Sequence, residues 1–161
     1  MELEKGNAPV SVTLIHPGRI DTPYNEHAGN YMATQPAHRG MVYPPEAVAE
    51  AILYAAEHRQ RDIFVGFQSK FFTVLGGLAP RLMDKIMEAV MYPTQLSHRP
   101  TPGIQENALY RAGYGMQQRG TNVGWMRTGS LYVKATKHPM FATMAIAGIG
   151  TAIALLAKAR K

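Results

Sequence analysis

The stretch Val10-Ser11-Val12-Thr13-Leu14-Ile15-His16-Pro17-Gly18-Arg19-Ile20-Asp21-Thr22-Pro23 decides the fold. Its short β-branched apolar run, from Val10 to Ile15, stops at Pro-Gly and is followed by Thr-Pro. A buried parallel strand has this composition, and its C-terminal end delivers the chain to a ligand crevice. Backbone groups leaving the ladder there can bond a ligand. Gly18 allows close approach because it has no Cβ, and Pro17 fixes the direction of exit.

Outward from this strand, residues 24–43 are polar and contain glycine, with no regular period. A helix is expected from Pro45 to His58, with proline in the first turn and Glu46 at the positive end of the helix dipole. Val48, Ala51, Ile52 and Ala55 recur at helical spacing and predict an apolar face against the sheet. Asp62 to Gly66 reads as a second short strand. Strand, helix and strand make a crossover unit of a parallel sheet. The expected fold class is α/β, the C-terminal part of a Rossmann-like sheet with extra helices and a C-terminal apolar helix.

These pieces, in this order and at this spacing, resemble the short-chain dehydrogenase/reductase family over roughly residues 1 to 70. The Pro-Gly loop with Thr22 resembles the stretch after that family's catalytic helix. Pro44 to Ile52 resembles its next helix, and Arg61 to Gly66 its last strand. The resemblance implies an NAD(P)-dependent oxidoreductase acting on a carbonyl or alcohol. It implies that Pro17, Gly18 and Ile20 pass along the nicotinamide of NAD or NADP. The backbone near Ile20 and the Thr22 hydroxyl would bond the carboxamide, and residues 24–43 would form a substrate-binding lid. An ordinary surface loop is the alternative for 24–43.

The family's Gly-rich turn and Tyr-x-x-x-Lys pair do not occur in the chain, so no catalytic residue is assigned. Met1-Glu2-Leu3-Glu4-Lys5-Gly6 reads as a helix end stopped by glycine. On this reading Met1 is internal, and the chain is the C-terminal portion of an enzyme, inactive alone. A missing N-terminal half or a homo-oligomer is then an expected partner.

Past Phe67 the family pattern fades. Phe71, Phe72, Val74, Leu75 and Leu78 are apolar, with an expected break at Gly76-Gly77. A helix from Pro80 to Met91 would carry Leu82, Met83, Ile86, Met87, Val90 and Met91 on one stripe, against Asp84, Lys85 and Glu88. That stripe suits core packing or a cover over the substrate cleft; an amphipathic surface for membrane or partner is the alternative. The domain assignment is 1–91 for the dehydrogenase-like part, 92–129 for a flexible linker, and 130–161 for the apolar helix with its basic flanks.

Pro139 to Ala157 contains nineteen residues without a charge. At about 1.5 Å per residue they reach roughly 28 Å, close to a hydrocarbon core of about 30 Å. Lys134, Lys137 and His138 precede them, and Lys158, Arg160 and Lys161 follow. Trp125 and Tyr132 are candidate interfacial aromatics, and Gly150 and Ala154 are spaced for close helix contact. The alternative is a buried soluble helix.

The charge distribution favours the lipid. Residues 1–106 hold nine Lys/Arg against eleven Asp/Glu, whereas residues 107–161 hold eight Lys/Arg and no acid. A basic tail of this kind suits an anionic partner. The arginines between 99 and 127 lack the interleaved aromatics of single-strand binding, which disfavours nucleic acid. The chain has no cysteine, which excludes disulfides, thiolate metal sites and a cysteine nucleophile. His16, His27 and His38 are eleven apart, which matches no ligand spacing, so no metal is assigned. Asp21 and Glu26 have no partner at a motivated spacing, and Arg19 reaches either a cofactor phosphate or solvent. No signal-like apolar run opens the chain, and no Gly-x-Ser-x-Gly elbow occurs.

Two functions of different class stay open. One is part of a membrane-associated NAD(P)-dependent oxidoreductase with its catalytic part cytoplasmic. The other is a non-catalytic, membrane-associated interaction protein using the sheet edge and the Met-rich helix.

Overall fold

A computed structural model describes residues 2–101, 107–110, 112–113, 115–122 and 124–159. Met1, Arg160 and Lys161 lie outside the described residues. The chain is mixed α/β. Helix α1 (Glu2–Lys5) precedes strands β1 (Leu14–Pro17) and β2 (Arg19–Ile20). Helix α2 (Tyr24–His27), β3 (Thr34–Pro36), β4 (Val42–Tyr43), α3 (Pro45–Glu57) and β5 (Asp62–Val65) follow. Then come α4 (Phe67–Leu78), α5 (Pro80–Ile86), a π-turn (Met87–Met91), a 3₁₀ turn (Pro93–Gln95) and β6 (Leu96–Pro100). Helices α6 (Leu131–Lys137) and α7 (Pro139–Ala159) close the order.

The strand–helix–strand unit forms as expected. β1 and β5 pair in parallel, with Leu14 opposite Asp62 and Pro17 opposite Val65, and α3 packs against both. The strand itself starts later than its composition predicts. Val10 and Val12 are exposed and lie outside the ladder, because β5 offers partners only from Asp62 onward. Thr13 bridges the approach by donating from its hydroxyl to the Gln60 carbonyl.

Across the Pro-Gly step the chain enters a second parallel pair. Arg19 and Ile20 lie opposite Val42 and Tyr43. Residues 24–43 are therefore not a plain loop. They hold α2, β3 and β4, and β3 pairs antiparallel with β6. The same pairing gives fixed structure to part of the stretch 92–129 expected as a linker. Met126 also bridges Val42 in parallel, and the Arg127 N–H donates to the Val42 carbonyl at 2.9 Å.

The core is small. Tyr43, Ala47, Ala51, Ile63, Val65 and Val133 are buried together, with Ile15, Ile20, Val48, Tyr54 and Ala55 packed on them. Burying a side chain such as Ile63 or Val65 contributes about 1.5–3 kcal/mol. The buried face of α3 runs through Ala47 and Ala51, whereas Ile52, expected on that face, is exposed. Gly66 follows β5 at φ +99°, and a Cβ there would lie 2.6 Å from the Tyr43 ring. Only glycine suits both that backbone and that contact.

One expected break is absent, and an unexpected one occurs further on. α4 runs through Gly76 and Gly77 and ends at Ala79, before Pro80. The last helical segment divides at His138, because Pro139 has no N–H to donate and restricts the residue before it. α6 belongs to the core: Val133 is buried, Ser130 caps the helix, and Lys137 pairs with Glu50 at 2.7 Å. Tyr132 meets Phe64 edge-on, so this ring is part of the domain packing. α7 is exposed along its length, and Pro139–Lys158 is long and apolar enough to cross a membrane by length and composition. Of the stripe on the segment 80–91, Met83 alone is buried, while Leu82, Met87 and Val90 are exposed.

Candidate functional site

The loop after β1 is tied to the sheet by its own backbone. Gly18 N–H donates to the Val65 carbonyl at 2.9 Å, and Asp21 N–H to the Tyr43 carbonyl at 2.9 Å. A Cβ on Gly18 would stand 3.2 Å from the Val65 oxygen. The glycine thus lets β1 and β5 approach each other. Pro17 ends β1 opposite Val65, and Ile20 sits in β2 opposite Tyr43, packed on the core. Thr22 follows, its N–H donating to the Ile20 carbonyl at 3.0 Å.

A cleft of about 250 Å³ opens beside this loop. Of the four residues expected at a cofactor, Thr22 lines it; Pro17, Gly18 and Ile20 do not. Asp21, Glu26, His38 and Asn122 line it as well. The cleft's far wall comes from β6 and from residues 121–122, parts of the chain that the sequence reading assigned to a linker.

Residues 119–122 strap across the loop. Gly120 lies so close that a Cβ would meet the Thr22 carbonyl oxygen at 2.7 Å and the Asp21 carboxylate at 2.9 Å. Thr121 N–H donates to Glu26 Oε1 at 2.7 Å. Arg119 pairs with Glu46 at 2.8 Å, which holds the Glu46 carboxyl below its usual range. The strap therefore gives Glu26 a backbone donor and Asp21 a covering neighbour. Burial pushes the Asp21 carboxyl up, against the Asn122 backbone N–H and the nearby His38 and Arg119, which pull it down.

His38 is the least expected member. Asn25 Nδ2 donates to its Nε2 at 3.1 Å. Burial first and the charge of Arg19 second lower its pKa, against the nearby Asp21, which raises it, so the neutral ring is favoured. A neutral imidazole that accepts at Nε2 carries its proton on Nδ1. That atom has no hydrogen-bond partner, and neither has Asn122 Nδ2. No sequence pattern links these two residues; the folding of β3 and the strap brings them to one cleft.

Arg19 is half-buried, and its guanidinium is held by acceptors within the chain. Its guanidinium donates to the Arg39 carbonyl, to Thr94 Oγ1 at 2.5 Å and to the Met91 carbonyl at 3.4 Å. It ties the lid-like segment to the turn after α5, and burial lowers its pKa. His16 stacks on Phe64 and pairs with Asp62 at 2.9 Å, so it is engaged within the domain. Among the described residues no group of three or more His, Cys, Asp or Glu could hold a metal.

No family model matches the chain. No solved structure matches it either. Among curated proteins, it is similar to an uncharacterized oxidoreductase, YxnA, of Bacillus subtilis (strain 168), with 61% identity over 150 residues. The match covers 92% of this chain and 42% of the relative. The chain thus spans less than half the length of the curated relative it matches.

Proposed function

We propose that this chain is the C-terminal part of a short-chain dehydrogenase/reductase, an NAD(P)-dependent oxidoreductase acting on a carbonyl or alcohol. The observation that carries the reading is the Pro17-to-Thr22 loop at the C-terminal end of a parallel strand, with Thr22 on a cleft. The oxidoreductase relative supports the reaction class. Its greater length supports a partner portion that would carry the Gly-rich turn and the Tyr-x-x-x-Lys pair.

The residues present fit a nicotinamide in one respect: a hydroxyl-bearing side chain lines the cleft where the strand ends. When bound, the cofactor supplies hydride exchange with the substrate carbon. Thr22 would donate or accept one hydrogen bond to the carboxamide. Gly18, whose N–H is already bonded to Val65, shapes the loop without bonding a ligand from that atom. The segment 24–43 would cover the substrate, held in place by Arg19. α7 would tether the protein to a membrane, and α6 would join it to the domain.

The test is a chimaera joining the relative's unmatched portion to this chain. NADH or NADPH affinity is measured by fluorescence. Thr22→Val is expected to weaken binding about threefold to tenfold, since one hydrogen bond contributes about 0.5–1.5 kcal/mol. Thr22→Ser should retain it. Equal affinities for all three proteins would remove Thr22 from the cofactor site.

A further inference from the structure

Helix α4 turns its large apolar side chains outward. Its buried residue is Ser69, whose Oγ donates to the His16 carbonyl at 2.8 Å. By contrast Phe67 is 61% exposed, Phe71 41%, Val74 44% and Leu78 81%. At about 100° per residue these four positions share about 60° of arc, on the side of the helix opposite Ser69. Phe67 and Phe71 stack with their rings 5.8 Å apart, so they form one surface. A helix that turns a serine inward and two phenylalanines outward carries a face that water does not stabilise.

Two observations select a bilayer as the cover. The first is charge. Between Asp62 and Asp84 the chain has no acidic residue, and the charges it carries there are Lys70 and Arg81. Basic residues beside an apolar stripe suit a lipid interface, where anionic headgroups would repel carboxylates. The second is position. Lys70 Nζ lies 4.3 Å over the Phe64 ring, and Tyr132 of α6 meets the same ring edge-on at 6.1 Å. Both α4 and α6 pack on β5. α6 leads through His138 into α7, the helix of membrane-crossing length. α4 therefore sits beside the helix from which that segment leaves.

We propose that the stripe Phe67, Phe71, Val74 and Leu78 lies in the headgroup–acyl boundary of the bilayer that α7 crosses. The bilayer rests on the reading of α7 given above; the stripe adds a second contact with it. An apolar helix face at that boundary is buried about 5–10 Å deep. The domain is then held at two places, and its orientation on the membrane is fixed instead of swinging about His138.

The chain has no cysteine, so one introduced thiol takes one label. The full chain with Phe71→Cys, Leu78→Cys or Thr73→Cys is labelled with an environment-sensitive fluorophore. It is reconstituted into vesicles of phosphatidylcholine and phosphatidylglycerol, with a doxyl quencher high on some acyl chains. Ala147→Cys, within α7, is read against a quencher deep in the chains. All four replaced side chains are exposed, and circular dichroism checks that each labelled chain keeps its fold. The labels at 71 and 78 are expected to shift to the blue and lose most of their emission to the shallow quencher. The label at 73, exposed but off the stripe, is expected to keep most of its emission. Labels at 71 and 78 as open to aqueous iodide as the one at 73, with the label at 147 quenched, overturn the contact and leave the span standing. Labels shielded from both iodide and lipid quencher overturn it in favour of a second copy of the chain. Quenching at 71 and 78 without quenching at 147 upholds the lipid contact of α4 and sinks the span alone.

Discussion

His38 is half-buried and hydrogen-bonded to Asn25 through one ring nitrogen, and its surroundings couple it to pH. Its pKa in the folded chain lies below the ordinary value of about 6.5, through burial first and the charge of Arg19 second. The unfolded chain therefore takes up the proton at a higher pH than the folded chain does. Where the unfolded state binds more protons, stability rises with pH. Stability is thus expected to fall as pH drops below about 6.5, down to the lower folded value. Asp21 acts oppositely: its raised pKa means that the folded state gains stability as its carboxyl protonates at more acid pH. Denaturant midpoints at about pH 7.5 and about pH 5.5 should differ less in His38→Phe than in the unaltered protein. An identical difference in both would show that His38 titrates freely. The Pro-Gly-x-x-x-Thr loop was legible in the sequence because its chemistry is local. His38 and Asn122 were not, because each is an ordinary polar residue until β3 pairs with β6 and the strap closes on Asp21.

At the scale of elements, the segment boundaries show what local sequence does and does not encode. The helix Pro45–Glu57 and the strand Asp62–Val65 were readable from proline placement and β-branched composition. β1 was displaced toward its C-terminus because a strand exists only where a partner runs beside it, and β5 begins at Asp62. β6 was read as linker because Leu-Ser-His-Arg-Pro has no alternation, and its pairing with β3 is long-range. Gly76 and Gly77 failed to stop α4 because glycine costs a helix only about 1 kcal/mol, whereas Pro80 removes a donor. Ser130 joins β5 to α6. It is fully buried, accepts from Gly66 N–H at 3.0 Å, and caps α6 through Val133 N–H at 3.3 Å. Ser130→Ala is expected to destabilise by about 2 kcal/mol, combining a lost cap with a buried, unpaired N–H. Chemical denaturation measures it; a change under about 0.5 kcal/mol would mean that the Gly66 amide finds another acceptor.

At the scale of the whole molecule, a small core carries an exposed apolar helix beyond it. α7 is uncovered along its length, so water is a poor solvent for it. If it spans a bilayer, the protein should resist high salt and alkaline carbonate and need detergent for release. Attraction through charge alone decays over about 8–10 Å at physiological ionic strength and would be reversed by salt. Release by salt, unaffected by deletion of residues 137–161, would return α7 to a soluble packing role. The sequence announced this helix by nineteen uncharged residues, but not the division at His138 that leaves α6 in the core. The central claim is that the loop from Pro17 to Thr22 lies along a nicotinamide. It is tested most directly by nuclear Overhauser contacts in the chimaera, with the methyls of Ile20 and Thr22 labelled and NADH bound. Contacts from the nicotinamide ring protons to both methyls are expected. Bound cofactor with its ring contacts elsewhere, or a folded chimaera that binds none, would contradict the account.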